Sequence, residues 1–444
     1  MGLITDRLAR WAVRRPHLLV AAVPGATAAW LAVEAEAARL GGVLVRDPAD
    51  ADLLVVAGAP GAELARAVER VWAQLPVPRA RVEVVEPDRV HLALRAGRRR
   101  LASAGPGDET ARTGDHGGGQ DDVGGHGDGG GQGGGRGGER GDGGGRGGHG
   151  ADGGGRGGHG AGGGGHGGDG DEGEQGGHAA HGAGGGHDGR GGGMAMPGGL
   201  MMAQRAEDRD GLTLDVLHLP LGPVLGDWPA GLVVELTVQG DLVQAATGRV
   251  LGPAGPVGEP YWAAGRGESR RRRHAAAHLD SLGRLWAVAG WPAGAAAARR
   301  LRDALLADVP LAVAYDGFRA LDRRARRSRP LRWATDGLGV LSVRAAREAG
   351  IRGPAARAAD EGGDVTARWC RWLDETARLL AGAEPRDGDG PRGDVVSGRP
   401  PSVPLLAVAT RLMVGADVAA ARLVLASFDP DPDELALAAG EGAG

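Results

Sequence analysis

Cysteine occurs once in these 444 residues, at Cys370. A single thiol excludes an internal disulfide and points to a reducing compartment. It also excludes a Cys-ligated iron–sulfur cluster held by this chain alone, since such clusters take four thiolates. Lysine is absent: all 52 basic residues are arginine, a trace of codon bias without functional weight. The formal charge is only −4, which argues against a generic nucleic-acid binder. Aromatic residues make up 3% against 87 glycines, so much of the chain cannot be core. No apolar run reaches the roughly 20 residues of a membrane span. Arg14-Arg15 ahead of LLVAAVPGATAAWLAV has the outline of a twin-arginine export signal. The segment reads better as a buried strand (Leu18–Val23), a Pro24-Gly25 turn and a helix from Ala26. That helix runs on into charged VEAEAARLGG without a clean cleavage site. The expected location is the cytoplasm, at most peripheral to the inner face of the cell membrane.

Three regions follow one another. In residues 1–102, LITDRLARWAVRR places Leu3, Leu8, Trp11 and Ala12 near one helical face. Then come the strand Leu18–Val23, a helix through Leu40, a short strand Gly42–Val45, the strand Leu53–Ala57 and a helix Glu63–Gln74. Strands alternating with helices imply parallel βαβ units, here a flavodoxin-like sheet. Leu64, Ala67, Val68, Val71 and Leu75 make the stripe that packs on it. Arg81–Val85 and Val90–Leu94 read as a closing hairpin around Pro87-Asp88. Residues 103–197 are low-complexity, GGGRGGHGAD recurring as GGGRGGHGAG, with nothing apolar to offset chain entropy. The expectation is a disordered Gly/His-rich linker.

Residues 198–444 read as an α+β, mostly helical domain. Strands are expected at Leu212–Leu219 and Gly231–Val238, with Asp241–Ala246 after a Gly240-Asp241 turn. Helices take over from Ala275: His278, Leu282, Leu285, Trp286 and Ala289 share a face, and Pro292 opens the next, with Ala298, Leu301 and Leu305. Pro404–Ser427 reads as an apolar helix ending in a strand-like ARLVLASFD. Arg270–Arg273 read as a solvated loop, with docking to an acidic partner or anionic lipid as the sharper alternative. Cys370, in RWCRWLDE, reads as a packing residue.

Two resemblances run through these pieces. WAVRRP, PGATAAWLAVEAEAARLG, ADLLVVAGAP and above all RAVERVWAQLPVPR resemble the B-type polypeptide of NADH-quinone oxidoreductase (respiratory complex I), related to the hydrogenase small subunit. LGPVLGDWPAGLVVELTVQGDLVQAA, HLDSLGRLWAVAGWP, DGLGVLSVRAAREAGIRGPAARA and RLMVGADVAAARLVLASFDPD are similar, in the same order, to the D-type polypeptide of the same complex, related to the large subunit of nickel–iron hydrogenases. The resemblance implies a B/D fusion of the oxidoreductase family, with quinone- and NAD-linked chemistry and respiratory or hydrogenase-type subunits as partners. Membrane association would come through a partner, and no nucleic acid is implied.

The ligands that the resemblance calls for are missing. Adjacent cysteines belong between Ala26 and Leu31 and a third near Pro87, but ATAAWL and its surroundings hold no sulfur. No iron–sulfur cluster is therefore expected. The family's quinone loop, Gly-Pro-x-His-Pro, stands here as Gly222-Pro223-Val224-Leu225-Gly226-Asp227-Trp228-Pro229, without a histidine donor. The nickel–iron reading fails for lack of two Cys-x-x-Cys pairs. No catalytic residue is assigned. Trp228 is the candidate plug of the quinone space, and His278 the candidate relic of a site histidine, against the blander reading of a partly buried polar residue. Eight of the 13 histidines lie in the linker. Of these, His178, His181 and His187 are candidates for weak nickel, zinc or copper binding, against the plain reading of an expanded repeat. The leading expectation is a non-catalytic structural, assembly or regulatory paralogue. The alternatives are a quinone- or NAD-linked oxidoreductase component fed by another chain, and a metal-handling protein acting through its linker.

Overall fold

The structure, a computed structural model, describes residues 15–103, 204–207, 213–385, 390–393, 395–396 and 398–441. All of these belong to one compact unit assembled from residues 1–115 and 195–444. The N-terminal helix expected around Leu3–Ala12 and the linker histidines lie outside the described residues.

β1 (His17–Ala22), β2 (Val43–Leu44), β3 (Leu53–Ala57) and β4 (Ala80–Val84) form a parallel sheet in the order β2-β1-β3-β4. β3 is LLVVA, buried at every position, as a central parallel strand covered on both faces must be. Leu53, Val55 and Ala57 face α1 (Thr27–Arg39) and α3 (Val90–Ser103), while Leu54 and Val56 face α2 (Ala62–Gln74). The α2 stripe buries Leu64, Ala67, Val68, Trp72 and Leu75. Pro76 and Pro78 forbid its continuation. Arg79 turns back over Trp72, 4.6 Å from the ring centre, and donates to the helix-end carbonyls of Trp72 and Leu75 at 2.6 and 2.9 Å.

The hairpin expected over residues 81–94 does not form. β4 runs parallel to β3, and Val90 opens a 14-residue helix. Val90, Leu94, Gly97 and Leu101 are its buried residues, a helical period that VHLAL alone is too short to reveal. Gly97 lets this helix close on the sheet, since a Cβ there would stand 2.7 Å from Leu53.

The rest of the unit begins with an antiparallel sheet, β5 (Gln204–Glu207), β6 (Thr213–Leu221), β7 (Leu232–Gln239) and β8 (Leu242–Val250), paired in sequence order. β7 and β8 turn through Gly240, at φ +62°, and Asp241, so the expected hairpin is present. Among the described residues ten helices follow: α4 (Gly267–Val288), α5 (Pro292–Leu306), α6 (Leu311–Arg326), α7 (Arg329–Thr335), α8 (Val343–Glu348), α9 (Pro354–Ala359), α10 (Val365–Leu380), α11 (Ser402–Met413), α12 (Val418–Phe428) and α13 (Pro432–Glu441). The fold class is thus a four-stranded parallel α/β sheet followed by a mostly helical C-terminal part.

Two expectations fail here. The apolar stretch 404–427 is not one helix ending in a strand. It breaks at Gly415, φ +84°, whose N–H donates to Val243 O at 2.8 Å, and restarts where Asp417 caps Ala420 N at 2.8 Å. ARLVLASF is helical, because a continuous apolar run carries no period to separate helix from buried strand. Arg270–Arg273 are not a loop either, but the opening turns of α4. Arg271 donates to Gly382 O and Glu384, both at 2.9 Å, and Arg272 to Glu268 at 2.6 Å. Arg273 reaches Tyr261 O at 2.9 Å and lies over that ring.

The two parts share their packing. Val233 and Leu251 complete the α2 side of the parallel sheet, and Leu31 of α1 joins the cluster built around Trp228, Trp262 and Trp286.

Candidate functional site

Open parallel sheets bind ligands beyond the carboxyl ends of their strands, where strand order reverses. Here that place lies between the turns after β1 and β3. The chain's own C-terminal part fills it. Gly25 N–H and the Thr27 hydroxyl donate to the two Asp433 carboxylate oxygens at 2.6 and 2.9 Å. Gly61 N–H donates to Gly252 O at 3.1 Å, and Ala254 N–H to Ala59 O at 3.0 Å. Gly58, at φ +107°, has no room for a side chain: a Cβ would lie 2.6 Å from that of Ala26.

The residues at this crevice do not fit an iron–sulfur cluster. The turn after β1 offers a backbone N–H and a hydroxyl, both already bonded to Asp433, and no thiolate, the terminal ligand that cluster iron takes. Cys370 is on α10, half-buried, with burial pushing its thiol up to about 11, so it is a poor nucleophile at neutral pH.

A cavity of about 460 Å³ opens on the neighbouring edge of the sheet. Leu18 and Val20 of β1 and Trp30 of α1 form one wall, and the 223–228 loop and Arg299 of α5 the other. The loop is braced from within. Gly222, at φ +89°, has a carbonyl oxygen where a Cβ would be, and Trp228 donates Nε1–H to that same Leu232 oxygen at 2.8 Å. Asp227 sits between Arg46 and Arg299, bonded to both. Burial lowers the Arg299 pKa, but Glu34 and Asp227 outweigh it and leave it above the ordinary arginine value.

The structure therefore gathers Pro223, Asp227 and Trp228 at one cavity with Gly222 as the hinge beside it, and Pro229 follows in the same loop. Trp228 is buried, 7% exposed, and packs with Leu31 and Leu232 rather than reaching solvent. His278 lies elsewhere, wholly buried on α4 one turn after His274. Burial holds His274 down to about 4 and His278 well below 6.5, with Arg392 adding to both. Both imidazoles are neutral at physiological pH, and each has one ring nitrogen without a hydrogen bond among the described residues. His178, His181 and His187 lie outside the described residues. Among the described residues no group of three or more His, Cys, Asp or Glu is arranged to hold a metal ion.

Between the cavity and the histidines runs a line of buried charge. Glu34 pairs with Arg302 at 2.8 Å, Arg302 with Asp280 at 2.6 Å, Asp280 with Arg284 at 2.7 Å, and Arg284 with Asp429 at 3.0 Å. Arg392 closes on Asp429 from the far side, and Ser281 donates to it at 2.7 Å. Burial works against each charge. Asp280 is nevertheless held below, and Arg284 and Arg302 above, their ordinary values by one another. Beyond Asp429 the balance reverses: burial, aided by neighbouring carboxylates, raises Asp431 and Glu434. No charged member of this line was legible as a site. The available signals were the i,i+4 Asp280/Arg284 spacing and the acidic FDPDPDE tail.

No family model matches the sequence, and no curated protein does. Among solved structures, a chain of the membrane-bound sulfane sulfur reductase, an archaeal respiratory membrane complex, is similar over 50% of this chain and 98% of its own. Identity is 16% and the TM-score 0.40. At that level the likeness carries no ligand, partner or activity across.

Proposed function

We propose that the chain is a complex-I-type fusion, a B-like half (1–102) and a D-like half (198–444) joined by the 103–197 linker, that has given up electron transfer. It serves as a structural, assembly or regulatory component beside respiratory-type subunits. One observation supports this above the others. The crevice where a relay centre would sit is closed by the chain itself, through Asp433 on the β1 turn and residues 252–254 on the β3 turn. Protein isolated anaerobically from its native cells tests this. The expected result is respiratory-type subunits in the bound fraction, with no iron, no acid-labile sulfide and no quinone reductase turnover. A stoichiometric ferrous–sulfide centre rejects the reading.

A second reading, a quinone- or NAD-linked component fed by another chain, is favoured by the 460 Å³ cavity. That volume falls within the range of small-molecule sites, and two indoles with apolar β1 residues line it. Tryptophan fluorescence titrated with a short-chain quinone and, separately, with NADH distinguishes it. Saturable quenching that disappears in Trp228→Leu supports occupancy, and an unchanged spectrum rejects it.

A further inference from the structure

A second, far smaller cavity lies inside the helical part, bordered by Arg368, Trp372, Arg392, Leu405, Ser427 and Phe428 among others. The centre of a water-sized sphere has about 10 Å³ to move in, room for one small species and for no polyatomic anion. Two guanidinium groups border it, 1% and 3% exposed, and each has one Nη without a hydrogen-bond partner among the described residues.

Arg368 is otherwise fully engaged, but with neutral groups. Its Nε donates to Ser427 Oγ at 2.8 Å, and its Nη1 to Gly339 O at 3.0 Å and Gly363 O at 2.6 Å. The plane lies over Phe428, 4.1 Å from the ring centre. No carboxylate among the described residues bonds to it. Asp364, which acts on it through space, is tied to Gly337 N and Ala367 N at 2.7 Å each. Burial consequently pulls this arginine down to about 9. Arg392 gives Nε–H to Asp429 O at 2.6 Å and one Nη to the Asp429 carboxylate, which Arg284 and Ser281 also share.

A buried cation without a counter-charge is costly, and a buried N–H without an acceptor adds to that cost. A water in the cavity would answer only half of this, because its own protons would need acceptors. For those two protons the bordering side chains offer one free lone pair at most, on Ser427. Its Oγ accepts from Arg368 and donates to Val424 O at 2.6 Å, and the others are apolar or donors.

We infer that this cavity is a structural site for a monatomic anion, chloride in solution, held between the unpartnered guanidinium N–H groups of Arg368 and Arg392. The ion supplies the acceptor and the negative charge together, and the volume excludes sulfate, phosphate and carboxylates. It ties α10 to the end of α12 and to the Pro391–Arg392 segment. The site is separate from the 460 Å³ cavity and does not depend on what that cavity binds.

Thermal unfolding of the full chain tests it, with chloride replacing gluconate at constant ionic strength. The expected result is a saturable rise in Tm of roughly 2 to 4 °C, reproduced by bromide and absent with sulfate. Arg368→Gln should abolish the halide response. Should that variant fail to fold, bromide-soaked crystals of the unaltered protein decide, with an anomalous peak expected between the two guanidinium groups. A Tm indifferent to halide, or a bromide map without that peak, overturns the proposal.

Discussion

The parallel sheet and the helical part solve the burial problem in opposite ways. β3 buries five apolar side chains and asks for nothing but its ladder. α4 buries His274, His278, Asp280, Ser281 and Arg284 on one helix and satisfies most of them with residues far away in sequence. An apolar core tolerates trimming, since each lost group costs roughly its own transfer and cavity energy. A buried charge line does not, because removing one member strands its neighbours. The lesson is that stability in the helical part is collective, whereas in the sheet it is local.

The largest effect should come from cutting that line. Asp280→Ala leaves the line one negative charge short, with Arg302 keeping Glu34 and Arg284 keeping Asp429, and should cost about 3 to 5 kcal/mol in urea unfolding. Adding Arg302→Met to it should return part of the loss, a non-additivity that the sheet cannot show. The matching cut in the sheet, Val55→Ala, leaves a small cavity and should cost about 1 to 3 kcal/mol, with additive doubles. Equal coupling energies in the two regions would erase the contrast.

The seam between them is next. Asp433→Ala leaves Gly25 N–H and the Thr27 hydroxyl unanswered and should cost about 1 to 3 kcal/mol. Faster hydrogen exchange at Gly25 than at β3 amides would place the opening at that crevice.

The smallest effects are in pH. His274 is held near 4 against an ordinary 6.5, so its contribution is complete above pH 6.5 and is lost as pH falls from there towards 4. His274→Gln should flatten that limb of the stability curve. Asp431 has the opposite sign. Its pKa is raised from 3.8, so the stability it lends is full below that value and is lost as pH rises through the raised one. Asp431→Asn, which keeps the acceptor for Asp433 N–H at 2.9 Å, should therefore match or exceed the parent Tm at pH 7. A clear drop would show that the charged form is the one the fold uses.

Sequence period made most of the elements legible. The α2 stripe, the start of α5 at Pro292 and the Gly240-Asp241 hairpin follow from spacing and turn chemistry alone. Where the period was short or absent, at Val90–Leu94 and Ala421–Asp429, the wrong element was expected, and packing against β4 and the Asp417 cap decided otherwise. The Gly222–Pro229 loop was identifiable from its residues, but its cavity was not, because half of the wall comes from β1 and α1 about 200 positions earlier.

By itself, the sequence determined the α/β-then-helical order and the absence of thiolates for a cluster, since periodicity and composition are properties of neighbours along the chain. Tertiary structure alone decided that Asp433 closes the crevice at Gly25, that Glu34 joins Arg302, and that Arg368 and Arg392 border one cavity. Those pairings join residues up to 408 positions apart, and no local pattern encodes which distant charge will be left facing which.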